Sequence, residues 1–241
     1  METIVCVDYG TSMSKVAVSI DGAPPFPIPL GQCEGDPVKE FLIDSSLLFA
    51  TDARIYFGTY AVRKSQENLR LPQRRYDSLK GRLTTGDKTE LGDVKLPSLL
   101  NSTGVEFSIA DAMALMFAHI FRLTHDYLRQ EYEDGVLGNV SYRFTRPVFN
   151  EERGAWVDRH MVCAIAAGLS LEVQLGKSYA GSIDAKDARN LIDQSAKKKN
   201  AKYRKISSHG IPEPVAAGIL VLSQVPDRRF LSAIVDIGAG T

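Results

Sequence analysis

The sequence predicts an α/β fold built on a mixed sheet with helices on both faces, and three observations carry that prediction. The opening stretch to Leu30 reads as three short strands, helix and strand alternate from Ile109 onward, and an apolar strand runs into an acidic, glycine-rich turn near each end. The 241 residues, 44% of them apolar, suffice for one large or two small domains with a real core.

Val5-Cys6-Val7-Asp8-Tyr9-Gly10-Thr11-Ser12 is an apolar run that breaks into a turn, and the alternating run Lys15 to Ile20 follows at once. This is strand, tight turn, strand. Gly22 to Pro25 is a turn and Phe26 to Leu30 a third short strand, which completes an antiparallel meander. Gly31 to Lys39 is loop-like. Phe41 to Phe49 and Ile55 to Gly58 are expected as two strands joined by Thr51-Asp52-Ala53, with a helix over Ala61 to Asn68. Leu71 to Leu100, rich in charge, Gly and Pro, is read as the outer part of a small inserted α+β subdomain and contains Tyr76-Asp77-Ser78-Leu79-Lys80-Gly81-Arg82.

Ser108, with Asp111 three residues on, opens the first strong helix, Ile109 to about Tyr132. Its stripe of Met113, Met116, Phe117, Ile120 and Leu128 is core packing, and His119 and His125, six apart, do not share a face as a metal pair would. Val140 to Thr145 alternates as a strand that Pro147 ends. Asn150 then caps a second helix, Glu151 to Ala167, which Gly168 terminates, and Leu169 to Leu175 resumes as strand. Gly176 to Ser208 is a polar, basic interruption with a helix over Ala185 to Ala196 and the run Lys197 to Lys205. A solvated loop is the usual fate of such a run, although a tyrosine among lysines also suits nucleic acid. His209 to Pro214 is a rigid turn with one carboxylate, Val215 to Gln224 an Ala-rich helix, and Leu231 to Val235 the last strand.

Three strands followed by α-β-α-β alternation is the ribonuclease-H-like arrangement, a mixed five-stranded sheet with helices on both faces. Residues 1–35 and 105–241 form its core and 36–104 the inserted subdomain. Strands one and four of such a sheet lie side by side, which makes Asp8, at the end of strand one, a candidate metal anchor.

The 29 basic and 29 acidic residues cancel, so no global field points to nucleic acid or an anionic membrane. Cys6, Cys33 and Cys163 are far apart, odd in number and without a C-x-x-C spacing; they are expected as reduced, mostly buried thiols. The chain opens on an acidic residue and a strand rather than a signal segment, and no run approaches the ~18 apolar residues that would span a bilayer. A cytoplasmic location is expected.

The two acidic turns carry the chemistry. In Asp8-Tyr9-Gly10-Thr11-Ser12 and Asp236-Ile237-Gly238-Ala239-Gly240-Thr241, glycines let backbone N–H groups approach an anion, hydroxyls add donors, and the aspartate can hold a hydrated divalent cation. Either turn alone is more often a hairpin corner. Facing one another, they would clamp a polyphosphate.

V-D-Y-G-T-S at 7–12 resembles the first phosphate motif of the actin, sugar-kinase and heat-shock-chaperone ATPase superfamily, and V-D-I-G-A-G-T at 235–241 resembles the second. F-T-R-P-V-F-N-E-E-R at 144–153, A-A-G-L at 166–169 and P-E-P-V-A-A-G-I at 212–219 are similar to segments of the seventy-kilodalton heat-shock chaperones. The resemblance implies that ATP or ADP and Mg²⁺ are bound. Asp8 and Asp236 would orient the hydrated metal, Gly10, Thr11 and Ser12 would meet the β- and γ-phosphates, and Gly238, Gly240 and Thr241 would form the second phosphate loop. Glu213 would position water or metal across the cleft, and Lys80 would reach the γ-phosphate from the inserted subdomain. Without the resemblance, Glu213 complements a helix dipole and Lys80 is a solvated lysine.

Three departures stand out: Ala239 replaces a glycine of the second loop, Pro212 an asparagine, and the segment from 174 to 208 is longer than the family pattern. The family's adenosine motif and second lobe follow the second loop, so this chain is expected to be the first lobe of a longer ATPase, whose protein client or co-chaperone would act through the full-length protein. A sugar-kinase lobe, a non-catalytic actin-like scaffold and a ribonuclease-H-like nuclease using Asp8, Glu213 and Asp236 are the alternative readings.

Overall fold

A computed structural model describes residues 1–67, 74–77, 79–85, 89–132, 135–175, 179, 181–197, 205–213 and 215–216. Strand β1 (Thr3–Asp8) alternates in burial, with Thr3, Val5 and Val7 turned inward, and its antiparallel neighbour β2 (Met13–Ile20) buries Ser14, Val16 and Val18. Period-two patterning thus sets the register, because a one-residue slip would turn every apolar side chain outward. β3 (Phe26–Pro27) pairs with β2 but is shorter than Phe26 to Leu30. Pro27 and Pro29 have no N–H to donate, Ile28 adds one last bond to Val16, and the short helix α1 (Leu30–Cys33) replaces the expected loop.

The expected strand Phe41 to Phe49 is two strands in two sheets: β4 (Ile43–Asp44) pairs with β2, and β5 (Leu47–Phe49) pairs with β6 (Arg54–Phe57). The chain changes sheets at Ser45 and Ser46. Their hydroxyls bond Ser14 Oγ (2.8 Å) and Asp77 Oδ1 (2.7 Å), satisfying polar groups where the ladder breaks. Helix α2 (Gly58–Gln66) follows, and α3 (Leu79–Thr85) lies within the stretch Leu71 to Leu100 that is rich in charge, Gly and Pro.

Helix α4 (Ile109–Glu131) opens with the capping box, Ser108 Oγ accepting from Asp111 N and Asp111 Oδ2 from Ser108 N. Its inward stripe packs on the sheet, with Tyr9 and Phe117 rings 5.0 Å apart. Strand β7 (Val140–Arg146) runs parallel to β1 and lies beside it. Asn150 Oδ1 caps helix α5 by accepting from Arg153 N at 2.9 Å. That helix spans Glu151–Glu172. Gly168 therefore does not terminate it, and Leu169 to Glu172, expected as strand, is its last turn. The glycine is there for contact: a Cβ on Gly168 would lie 2.5 Å from Phe117 Cβ and 3.0 Å from Ala114 O, so only glycine lets α5 lie this close on α4.

The long segment after α5 adds β8 (Ser182–Asp184), the third strand of the β5-β6-β8 sheet, and helix α6 (Ala185–Lys197), held to α4 by Arg189 and Asp111 at 2.8 Å. Two short strands, β9 (Lys205–Ile206) and β10 (Ile211–Pro212), pair in parallel with β7. The main sheet runs β10-β7-β1-β2-β3, with β9 also on β7 and β4 on β2. Strand Leu231 to Val235 and most of the helix Val215 to Gln224 lie outside the described residues.

The protein is thus a mixed α/β fold with a mixed sheet and helices, and among the described residues no helix is long and apolar enough to cross a membrane. The thiols depart from expectation: all three are free, but Cys33 and Cys163 are exposed and Cys6 is half-buried. The two histidines of α4 point to different partners. His119 Nε2 and Nδ1 meet Glu34 Oε1 and Tyr179 Oη, both at 2.6 Å, while His125 meets Tyr142 Oη (3.0 Å) and Glu172 Oε2 (3.3 Å).

Candidate functional site

β1, β7 and β10 are parallel and adjacent, so their C-terminal ends lie along one edge of the sheet. Such an edge is where open α/β sheets present ligand-binding groups, because the loops leaving it diverge. Register puts Asp8, the last residue of β1, beside Thr145; Thr145 pairs with Ile211, and Glu213 follows β10 at once. At about 4.8 Å per strand and 3.3 Å per residue, Asp8 and Glu213 stand two strand positions apart and two residues offset, roughly 12 Å.

Asp8 is held from two sides. Thr145 Oγ1 donates to Oδ1 at 2.5 Å, and Lys15, its cross-strand partner, brings Nζ to 3.1 Å from Oδ2. The Lys15 side chain is 61% exposed and the Asp8 side chain 31%, so the outer oxygen can exchange an ammonium for a hydrated cation by a surface rotation. Beyond Asp8 the chain turns sharply. A Cβ on Gly10 would sit 1.9 Å from Met13 O, which leaves glycine as the residue that fits and carries Thr11 and Ser12 over the strand end. Ser12 O accepts from Ser45 N at 2.8 Å, tying this turn to the β4–β5 junction. Tyr9, between them, is fully buried; burial pushes its phenol far above the ordinary range, and its Oη has no hydrogen-bond partner among the described residues.

Lys80 comes from helix α3. Leu79 and Leu83 of α3 sink into the core, and the lysine between them is drawn in, its side chain only 8% exposed, where Nζ donates to Glu213 Oε1. α3 is itself fastened to α5: Arg153 Nε and Nη2 donate to Leu83 O at 3.1 and 2.6 Å, and the guanidinium lies 4.5 Å from the Trp156 ring. Residues 8, 80 and 213 are thereby brought to one edge of one sheet.

Asp236, Gly238, Gly240 and Thr241 lie outside the described residues. Sequence reasoning missed Thr145 and Lys15 as partners of Asp8. The signal for Lys15 was its place in the alternating strand, opposite Asp8; Thr145 stood inside a quoted motif but had no assigned role. It also missed Asp158, a buried carboxylate within α5 whose signal was the break it makes in an apolar face. An apolar cavity of about 660 Å³ between α4, α5 and α6 contains none of these groups.

The arrangement offers a carboxylate with one exchangeable oxygen, a turn of hydroxyls and backbone amides, and an ammonium paired with a second carboxylate. That set suits a polyanion with a divalent cation. No protein-family model matches the chain, and no curated protein matches it.

Proposed function

We propose that this chain is the first lobe of a heat-shock-chaperone-like ATPase, which binds the phosphates of ATP or ADP with Mg²⁺ and turns ATP over together with a second lobe. The observation that carries the reading is the pairing of Lys80 with Glu213 at the strand edge that also holds Asp8. These residues come from three distant stretches, and the resemblance had assigned all three to one site. The strand order β10-β7-β1-β2-β3, with β2 antiparallel to both neighbours and β7 parallel to β1 and β10, supports the ribonuclease-H-like core that the reading includes.

Asp8 would hold Mg²⁺, which would supply charge neutralisation at the phosphates; Lys15 would have to release the Asp8 carboxylate, and Thr145 keeps its inner oxygen fixed. The Gly10-Thr11-Ser12 turn donates to phosphate oxygens. Lys80, already desolvated and aimed along the edge, stabilises charge on the transferring phosphoryl group, and Glu213 orients water and keeps that lysine in place. A two-metal nuclease needs both carboxylates free to share ions, whereas Glu213 is committed to the nearly buried Lys80 ammonium.

The test is ATP turnover by the chain extended past Thr241, with Lys80→Ala and Glu213→Ala. A fall of roughly 100-fold in either variant is expected, the usual size for one preorganised charge. Unchanged turnover would leave a non-catalytic scaffold. Metal-dependent cleavage of DNA or RNA that disappears in Asp8→Ala would replace the ATPase reading with a nuclease.

A further inference from the structure

Glu213 is delivered by a strand only two residues long, whose ladder with β7 is the two pairs Ile211–Thr145 and Pro212–Arg146. On β7 the paired positions Tyr142 and Thr145 are three steps apart, while their partners Ile206 and Ile211 are five apart. Two surplus residues are therefore taken up between β9 and β10, in the Ser207-Ser208-His209-Gly210 segment. A bulge of this kind can be absorbed at more than one place, and each one-residue slip of β10 would move Glu213 about 3.3 Å along the edge. That distance would separate it from Lys80.

Within the turn Ser207 Oγ donates to His209 O at 2.8 Å, and one side chain from outside it, on α5, ties the turn to the helical layer. Asp158, on α5 and 4% exposed, accepts from Gly210 N through Oδ1 at 3.0 Å. The same oxygen lies 2.9 Å from Arg146 Nε, an ion pair rather than an aligned hydrogen bond, and Oδ2 lies 3.4 Å from His209 Nδ1. Arg146 is the β7 residue paired with Pro212, so the carboxylate grips both strands at the register point before Glu213. Gly210 permits the approach: a Cβ there would lie 2.6 Å from the Phe144 ring and 2.9 Å from Arg146 Cγ.

We infer that Asp158 is a positioning residue for Glu213, latching the His209-Gly210 turn to helix α5 and so setting where β10 presents that glutamate to Lys80. The consequence for turnover rests on the proposed function; the latch itself does not. Its test is the acetylation rate of Lys80 by an N-hydroxysuccinimide ester, read by mass spectrometry as a ratio to Lys95, whose side chain is 68% exposed. Glu213→Gln sets the scale for an unpaired Lys80. Asp158→Ala is expected to raise the ratio about tenfold, toward that scale, as loss of a charged hydrogen bond would. Asp158→Asn, which keeps an acceptor for Gly210 N, should raise it less. Gly210→Ala, which displaces the turn with Asp158 intact, should raise it as Asp158→Ala does.

Ser108→Ala, a cap removal on α4, controls for general destabilisation and should leave the ratio alone. Ratios in folded Asp158→Asn and Gly210→Ala that match the unchanged protein, or that rise no more than in Ser108→Ala, would overturn the latch. If the ratios move as expected but the chain binds no nucleotide, the latch stands and the ATPase reading falls.

Discussion

Lys80 is nine-tenths buried, and an ammonium at that depth costs several kcal/mol to desolvate unless a counter-charge meets it. Glu213 is that counter-charge, and its own side chain is 27% exposed, so breaking the pair should cost less than in a fully dry site. Glu213→Gln is expected to lower unfolding free energy by about 1–3 kcal/mol in denaturant titrations, and the double variant with Lys80→Met to recover part of it. Additive losses would mean the two do not interact. Asp8 and Lys80 were legible in the sequence as residue types in recognisable settings. The contacts that bring them to one sheet edge were not, because Thr145 lies 137 residues from Asp8 and Glu213 133 from Lys80, distances that only the tertiary fold closes.

At the scale of elements, local signals located what local physics controls. Ser108 and Asn150 mark helix starts because each cap is satisfied within three residues, and the alternation in β1 and β2 is the burial pattern itself. Gly168 misled for a physical reason. Read locally, glycine after an apolar run is a helix stop, but here the partner helix, not the backbone angle, requires it. Gly168→Val should therefore push α5 off α4 and cost about 2–3 kcal/mol, measured by thermal or chemical unfolding, despite valine's better helix propensity than glycine. A neutral or stabilised variant would return Gly168 to a backbone role. The strand expected over Phe41 to Phe49 failed similarly, since the sheet change at Ser45 and Ser46 depends on partners at Ser14 and Asp77 that no local pattern displays.

Across the whole molecule, the helical layer is bound to the sheet by apolar contact and its helices to one another partly by buried ion pairs, and one of these, between α5 and α4, gives the fold an acid limit. Burial raises the Glu172 carboxyl, but the hydrogen bond with His125 and the charges of His125, Arg129 and Arg122 outweigh it and hold the group below its ordinary value of 4.5. The unfolded chain therefore binds this proton first. The stabilisation is fully present above pH 4.5 and is lost as pH falls through the lower folded value. Glu172→Gln should flatten the acid limb of stability against pH below that point; an unaltered slope would remove Glu172 from the account. The central claim is that the edge formed by β1, β7 and β10 is a phosphate and metal site. Its most direct measurement is a calorimetric titration of ATP into this chain with and without Mg²⁺, repeated on Asp8→Asn. We expect saturable binding that needs Mg²⁺ and is lost in Asp8→Asn; absence of binding, or binding indifferent to both Mg²⁺ and Asp8, would contradict it.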